Sequence, residues 1–229
     1  YKSVMEAFVH AGVENNARVN IKWIQTEKIK NLKDVEKVFP NINGVLILPG
    51  FGSRGSEGKI KIVKYSRENK VPFLGICLGL QCAVIEFARN VCKMQGANST
   101  EFNSKTQYPV IDLMESQRAI KIKGGTMRLG AYECEIKVGT KAYSAYRAKK
   151  ISERHRHRYE VNNRYKKTLE KNGMVFSGIN QELRVVETIE VKNHPWFIAS
   201  QFHPELKSRI NKAHPLFREF IKAAVKNSL

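Results

Sequence analysis

The sequence has few of the residues that cross-link a small protein. Its 229 residues include four cysteines, Cys77, Cys82, Cys92 and Cys134, and no two of them form a Cys-x-x-Cys pair. Neither a disulfide framework nor a zinc site is therefore predicted. Reduced thiols are typical of the cytosol, so we expect a cytoplasmic location.

Long hydrophobic runs are also missing. The apolar stretches at 45–48 and 196–199 are short, whereas a membrane-spanning helix needs about 18 or more apolar residues. We therefore expect no membrane partner. Apolar residues nevertheless make up 42% of the chain, which favours a folded protein over a disordered one. The length and the lack of a convincing linker predict one domain over residues 1–229.

Acidic residues are scarce relative to basic ones. Lys and Arg total 40 against 21 Asp and Glu, for a formal net charge of +19. Such a charge would suit binding to nucleic acid, to a membrane surface or to an acidic partner domain. The lysines occur singly or in pairs with few aromatics between them, unlike a stacking platform for single strands. A solvated basic surface is favoured, and a basic nucleic-acid-binding module stays open as an alternative.

Short apolar runs alternate with helical patterns along the chain. This order predicts an α/β fold with a mostly parallel open sheet flanked by helices, and with extra β segments in the second half. Because such folds usually open with a strand, we expect a strand to precede the first helix. The predicted strands are 19–23, 44–48, 71–76, 109–113, 133–138, 184–191 and 197–201, and the predicted helices are 2–13, 58–69, 215–226 and one from the turn at residue 77 to about 91.

A candidate nucleophile stands at the turn from strand 71–76 into a helix. In Gly75-x-Cys77-x-Gly79 two glycines flank a thiol, as in the strand–turn–helix elbow otherwise seen as G-x-S-x-G. The glycines avoid clashes in the tight turn, and the helix N-terminus is expected to lower the pKa of the thiol. A buried structural cysteine in a β–α turn is the alternative.

A candidate general base lies near the end of the chain, in Gln201-Phe202-His203-Pro204-Glu205. Pro204 disfavours helical backbone at His203, which predicts an extended segment. In an extended segment His203 and Glu205 lie on the same side, where the carboxylate can orient the imidazole. A surface His and Glu at a strand end is the alternative, which the presence of the elbow makes less favoured.

Backbone donors for an oxyanion are also predicted. The turn that begins at Pro49-Gly50 follows strand 44–48, so its N–H groups are expected at the carboxyl edge of the sheet, near the nucleophile. The N–H groups of Gly50 and Leu78 would form an oxyanion hole. An ordinary glycine turn is the alternative.

Taken together, these residues resemble the class I glutamine amidotransferases, in which Gly-Ile-Cys-Leu-Gly-x-Gln and Phe-His-Pro-Glu are hallmark segments. Residues 97–102, 124–130 and 153–162 further resemble one branch of the family, in which the glutaminase domain follows an ATP-dependent amidoligase domain. The resemblance covers nearly the whole chain and implies a flavodoxin-like fold.

The resemblance implies that Cys77 attacks the γ-carboxamide of L-glutamine, His203 protonates the departing ammonia, and Glu205 orients His203. Water then hydrolyses the glutamyl thioester. A carboxylate suits the α-ammonium group of glutamine and a guanidinium suits its α-carboxylate. The residues that the resemblance places at the glutamine site are Gly50, Leu78, Gly79, Leu80, Gln81, Glu101 and Arg158.

The resemblance also implies a larger enzyme. Its amidoligase domain, with ATP and Mg²⁺, would aminate UTP to CTP, GTP would activate glutamine hydrolysis, and the whole enzyme would be a homotetramer. No G-x-x-x-x-G-K-[ST] motif stands in this chain, so no cofactor is expected in this domain. A γ-glutamyl hydrolase or peptidase on the same fold is the alternative within enzymes.

Three details qualify the match. The family usually has Pro-Gly-Gly-Phe-Gly, whereas one glycine fewer precedes Phe51 here; counting back from the nucleophile still places Gly50 at the oxyanion position. Glu101 also fits a helix-capping role. The alternation in 154–158 predicts arginines on one face of a strand and His155 and His157 on the other. The arginines would otherwise indicate a phosphate or nucleic-acid patch, and a metal site at the histidines is not favoured.

Overall fold

The computed structural model describes residues 1–113 and 127–228. It contains strands in both halves and helices on both faces of a central sheet. The strands are β1 (Val45–Ile47), β2 (Phe73–Ile76), β3 (Asn98–Ser99), β4 (Pro109–Leu113), β5 (Arg128–Ile136), β6 (Lys150–His157), β7 (Tyr159–Val161), β8 (Met174–Asn180), β9 (Val185–Val191) and β10 (Phe197–Ser200). The helices are α1 (Lys2–Glu14), α2 (Leu32–Val38), α3 (Ser56–Glu68), α4 (Leu78–Asn90), α5 (Lys141–Tyr146), α6 (Lys166–Lys171) and α7 (Pro215–Lys226), with 3₁₀ turns at Thr26–Lys28, Asn163–Tyr165 and Pro204–Lys207.

The main sheet has seven strands in the order β1-β2-β10-β9-β8-β5-β6. Strands β1, β2 and β10 are parallel, and from β10 onward the neighbours are antiparallel. A smaller sheet joins β3, β4 and β7. The predicted α/β fold is confirmed. The extra β segments of the second half extend the sheet as antiparallel strands, because short connections join neighbours in that direction.

The central strands bury both faces. Phe73 and Phe197 are register partners on β2 and β10, and their rings stack with centroids 4.3 Å apart on the face covered by α3 and α4. The next residues along, Leu74 and Ile198, face the opposite way, into the cluster formed with α1 and α7. Since side chains alternate along a strand, continuous apolar runs are what a sheet covered on both faces requires.

Local signals explain the ends of several helices. At α7 the His214 side chain accepts a hydrogen bond from the Leu216 N–H, and Pro215 occupies the first turn, where no N–H partner is lost. At α2 the side chains of Asn31 and Asp34 form a reciprocal capping box. This helix was not predicted from the sequence, although its cap is visible there.

One predicted strand is wrong. Residues 19–23 are not paired in a β ladder with any strand in the ranges described. A groove with a cavity volume of about 760 Å³ separates this segment from β1, and the groove is lined by both. The segment lines this groove beside β1 instead of pairing with it in a ladder. Within the same ranges no helix is long and apolar enough to cross a membrane.

Candidate active site

The turn after β2 has the predicted elbow geometry. Cys77 has a φ of +52°, a backbone angle that residues other than glycine rarely adopt. Helix α4 begins at the next residue. A Cβ atom at Gly75 would lie 2.8 Å from the Cβ of Ala199, and one at Gly79 would lie 2.6 Å from the carbonyl oxygen of Ile47. The flanking glycines are thus needed because the neighbouring backbone and side chains approach so closely.

The Cys77 thiol is buried, and its environment opposes ionisation. Burial raises its pKa to about 12, the carboxylates of Glu205, Glu160 and Glu101 act in the same direction, and a hydrogen bond from the Leu78 backbone N–H acts against them. The Leu78 N–H at the start of α4 acts in the expected direction, but it does not determine the net pKa of the thiol. The loss of solvent outweighs the backbone donors.

His203 and Glu205 form the predicted pair. The Nδ1 atom of His203 is 2.8 Å from Oε1 of Glu205, and both side chains are buried. The predicted extended geometry is wrong, because Pro204–Lys207 is a 3₁₀ turn, which Pro204 opens at a position where it loses no N–H bond. The pairing follows from this turn instead of from strand alternation.

The sheet brings this pair to the nucleophile. Strand β10 lies parallel to β2 with Ser200 opposite Ile76, and the Cys77 N–H donates to the Ser200 carbonyl at 2.7 Å. The segment after β10 therefore starts beside the elbow. Nε2 of His203 is buried, and no partner for it lies in the part of the chain that the structure describes. With Nδ1 held by the carboxylate, Nε2 is the atom left for proton transfer.

The loop after β1 reaches the same edge. A Cβ atom added to Gly50 would lie 3.3 Å from the Leu78 side chain, so the two predicted oxyanion residues are neighbours. Two residues further on, the Gly52 N–H donates to Oε1 of Glu101 at 2.8 Å. This contact attaches the glycine loop to the segment between β3 and β4. The Gly52 φ of +75° explains the need for glycine there.

Glu101 and Arg158 also come together. Partial burial raises the pKa of Glu101, while the Gly52 N–H and the positive charge of Arg158 act to lower it. Arg158 is half-buried and lies between the end of β6 and the start of β7. The predicted alternation is seen on β6, where Arg154 and Arg156 are exposed while the two histidines are buried.

The segment from Leu78 to Gln81 forms the first turn of α4, and its side chains differ in surroundings. The Leu80 side chain is fully buried in the core, and Gly79 packs against β1. Nε2 of Gln81 donates to the Tyr159 carbonyl at 3.2 Å and lies 3.5 Å from Oε1 of Gln201.

Two features were not singled out from the sequence. One is Gln201, whose Nε2 lies 3.6 Å from the sulfur of Cys77. The other is a buried cluster of charged and histidine side chains among the antiparallel strands. No local sequence pattern reveals it, because its members lie on separate strands. Its members are Arg128, His155, His157, Glu160 and Glu187.

The cluster connects the two sheets, because Glu160 is on β7 of the smaller sheet and the other members are on antiparallel strands of the main sheet. Arg128 is 2.9 Å from a carboxylate oxygen of Glu160 and 2.7 Å from one of Glu187. His157 and His155 contact the same two carboxylates, at 2.7 Å and 2.6 Å. Each carboxylate is thus shared by the arginine and a histidine, which compensates its burial.

Residues 124–126 of the segment 124–130 lie outside the described residues. Across the described ranges no three His, Cys, Asp or Glu side chains group as metal ligands. The four cysteines are free.

Comparison with known proteins is consistent with this geometry. The family model "Glutamine amidotransferase class-I" matches residues 1–223. A CTP synthase of Pelodictyon phaeoclathratiforme is 60% identical over 225 residues, and one of Chlorobaculum tepidum is 56% identical; each match covers 98% of this chain and 40% of the relative. The chain therefore spans about two fifths of the length of these curated relatives.

A solved structure matches over the whole fold. The glutaminase domain of a Trypanosoma brucei CTP synthase, with bound acivicin, superposes with a TM-score of 0.93 at 33% identity. The match covers 99% of this chain and 88% of that one. With a family model over nearly all its residues and this structural agreement, the chain belongs to the class I glutamine amidotransferase family.

Proposed function

We propose that this chain hydrolyses L-glutamine with Cys77 as nucleophile, His203 as proton carrier and Glu205 as its orienting carboxylate. The observation that carries the proposal is the 2.8 Å pair of His203 and Glu205 in the segment that starts beside the strained Cys77 turn. Cys77 gives its proton to Nε2 of His203 as sulfur attacks the γ-carboxamide. The C–N bond breaks, the proton leaves with ammonia, and water hydrolyses the thioester.

The same proposal assigns the remaining site residues. The N–H groups of Gly50 and Leu78 stabilise the oxyanion, and Glu101 and Arg158 bind the two charges at the amino-acid end of glutamine. Burial raises the pKa of Glu101, and the charge of Arg158 acts against this rise; the electrostatic contact between the two side chains supports this pairing of opposite charges. The segment from Leu78 through Gly79 and Leu80 to Gln81 contributes to the wall of the pocket.

An active-site label tests this function. The chain is incubated with acivicin, the compound bound in the matching structure, and its intact mass and peptide masses are measured. We expect one adduct, on Cys77, together with loss of glutamine-dependent ammonia release. Excess glutamine should slow the labelling. An adduct on another cysteine, or none in a chain that also releases no ammonia, would contradict the proposal.

We further propose that the chain is one domain of a longer cytoplasmic enzyme. The relatives named CTP synthase are about two and a half times its length, since the match covers 40% of each. In this proposal an amidoligase domain uses ATP and Mg²⁺ to aminate UTP to CTP with ammonia from this domain, GTP activates hydrolysis, and the enzyme is a homotetramer. The residues 1–229 form the glutamine amidotransferase domain.

The groove beside β1 supports a longer chain. Among the described strands, β1 pairs only with β2, and the backbone groups of Leu46 point away from that partner because they alternate along the strand. Tyr1, at the start of α1, contacts the Pro49 carbonyl at the carboxyl end of β1. A parallel strand placed in the groove would end at this point and lead into α1. We propose that a segment preceding Tyr1 fills the groove.

Amide hydrogen exchange tests this placement. In the natural polypeptide that contains residues 1–229, the Leu46 amide should exchange far more slowly than in the 229-residue chain alone, because the added strand would accept its hydrogen bond. The Val45 amide, which donates to Pro72 at 2.8 Å, is the internal control and should be protected in both. Equal exchange at Leu46 in the two proteins would contradict the added strand.

The net charge of +19 offers a test of the partner domain. We expect the chain alone to hydrolyse glutamine slowly and to respond little to GTP. Adding the separate amidoligase domain with its nucleotides should raise the rate more at low salt than at high salt, because salt screens an electrostatic interface. Full GTP-stimulated activity without the partner would contradict this role of the charge.

The other candidate functions make different predictions. A nucleic-acid-binding module would bind DNA or RNA with a steep negative slope of log affinity against log salt. A γ-glutamyl hydrolase or peptidase would cleave γ-glutamyl peptides faster than free glutamine. Filter binding across salt and a comparison of these substrates distinguish both from the proposed glutaminase.

A further inference from the structure

Gln201 is fixed next to the nucleophile by its backbone. It is the first residue after β10 and is fully buried. Its N–H donates to the Glu187 carbonyl at 2.8 Å, and the preceding carbonyl, that of Ser200, accepts from the Cys77 N–H. The position of Gln201 is therefore set on one side by β9 and on the other by the elbow itself.

Its side chain contacts the reactive sulfur. Nε2 of Gln201 lies 3.6 Å from Sγ of Cys77, within the range of an N–H to sulfur hydrogen bond. Oε1 of Gln201 lies 3.5 Å from Nε2 of Gln81, which also donates to the Tyr159 carbonyl. Turning the Gln201 amide over would place two NH₂ groups against each other and an oxygen against the sulfur. The nitrogen therefore faces the sulfur.

The site needs such a donor. The thiolate is disfavoured by burial and by three carboxylates, which together raise the thiol pKa to about 12. His203 removes the proton during attack but does not solvate the sulfur. A neutral amide N–H stabilises a negative sulfur through a charge-assisted hydrogen bond without adding an ionisable group. The Leu78 N–H is the backbone counterpart.

We propose that Gln201 is a further catalytic residue, whose side-chain amide donates a hydrogen bond to the sulfur of Cys77 whenever that sulfur is negative. This occurs twice. The first time is when Cys77 gives its proton to His203 and the S–C bond forms. The second is when water attacks the thioester, gives its proton to His203, and the S–C bond breaks. The thiolate then takes that proton back. Gln81 positions the amide of Gln201.

This inference rests on the proposed glutaminase function but is tested without glutamine. The full chain and its Gln201→Glu variant are alkylated with iodoacetamide between pH 5 and 9, and peptide masses report the rate at Cys77. Glu has nearly the size of Gln, yet its carboxylate offers no donor and repels a thiolate. We expect alkylation about tenfold slower or more near pH 8, since hydrogen bonds to charged groups are worth about 1.5–3 kcal/mol.

The pH profile separates chemistry from packing. As pH falls, the new carboxyl group gains a proton, becomes a donor, and should bring the variant rate closer to that of the natural chain. A merely structural defect would give a ratio of rates that does not change with pH. The matched control is Asn180→Asp, which makes the same change at a buried amide that donates to the Glu133 carbonyl. It should leave the Cys77 profile unchanged.

A second variant covers a failure to fold. Gln201→Leu removes the donor without adding charge and should slow alkylation less than Gln201→Glu. If either folded variant alkylates at the natural rate across the pH range, Gln201 only packs and the inference is wrong. If the natural chain alkylates at Cys77 but never hydrolyses glutamine, the proposed function fails while the donor role of Gln201 is still decided by these rates.

Discussion

The parallel and antiparallel parts of the main sheet have different interiors. Around β1, β2 and β10 the core is apolar, with Phe73, Leu74 and Ile198 buried on the two faces. Around β5, β6 and β9 it contains the buried charge cluster, with Arg128 shared between Glu160 and Glu187. The same sheet thus combines a close-packed apolar layer with a region held by charges and hydrogen bonds.

The difference follows what each part has to hold. The strained Cys77 turn needs rigid neighbours, and an apolar core packed at crystal-like density supplies them. Arg158 lies at the corner where the chain passes from β6 of the main sheet to β7 of the smaller sheet. His157 and Glu160, on either side of that corner, are tied to each other at 2.7 Å, and Arg128 also binds Glu160. Packing positions the nucleophile, whereas charges position the residue assigned to the substrate.

The largest effect is expected at the nucleophile, in the parallel part. Cys77→Ser should abolish glutamine-dependent ammonia release, because a serine oxygen lacks thiolate character while the change in volume is small. The measurement is ammonia production, with the folded state checked by circular dichroism. Substantial activity in the pure variant would remove Cys77 from the mechanism.

Cys82 provides the matched control. It lies on the same helix, and burial likewise raises its pKa to about 12. Cys82→Ala should retain nearly the full rate. Should it be as inactive as Cys77→Ser, the elbow argument would fail.

The next effect concerns stability in the antiparallel part. Arg128→Met keeps much of the side-chain volume but leaves two buried carboxylates without their shared cation, a change that costs about 3–5 kcal/mol. Burial acts to raise the pKa of Glu160, but the contacts with His157 and Arg128 hold it below its usual value, so the charged carboxylate depends on these partners. Urea unfolding gives the change in the free energy of unfolding.

Replacement by methionine at two other positions tests the contrast between the two parts of the sheet. Leu74→Met, in the apolar core, should cost less than about 1.5 kcal/mol because it conserves volume and removes no charge. Arg154→Met, on the exposed side of β6, should change stability by no more than about 0.5 kcal/mol. Similar losses in all three variants would contradict the contrast between the interiors.

The third effect concerns Arg158 at the corner between the sheets. Arg158→Ala should raise the KM for glutamine about 10²-fold or more, since loss of a charged partner for a desolvated carboxylate costs about 2–5 kcal/mol. Steady-state kinetics measure this, with Arg156→Ala on the exposed side of β6 as the control. An unchanged KM would mean that Arg158 does not bind glutamine and is only part of the basic surface.

The sequence predicts the parallel part of the fold better than the rest. Strand β2, the elbow and α7 follow from local signals: a short apolar run, two glycines, and a proline at a helix start. The error at residues 19–23 arose because a β-type pattern does not say whether a partner strand is within reach. Gln201 was missed because its role depends on Cys77, 124 residues away, and no local pattern reports a contact across that distance.

The smallest effect is a dependence of stability on pH, which should distinguish a buried histidine of the apolar part from those of the charge cluster. His155 and His157 are paired with carboxylates, whereas buried His194 accepts from the Trp196 N–H and donates to the Ser66 carbonyl. Burial lowers the pKa of His194 to about 4. The unfolded chain, with a pKa near 6.5 at this residue, therefore binds more protons between these values.

The stability from neutral His194 should thus be complete above pH 6.5 and decline as pH falls toward 4, since protonation would aim an N–H at the Trp196 N–H. His194→Gln cannot titrate, so the difference in unfolding free energy between the two proteins should change by about 2 kcal/mol from pH 7 to pH 5. Urea unfolding at each pH measures it, and using the difference cancels the carboxylates that titrate in both proteins. If this difference does not change with pH, the pKa of His194 is no lower than that of an exposed histidine. The apolar part would then tolerate a charge as readily as the cluster does.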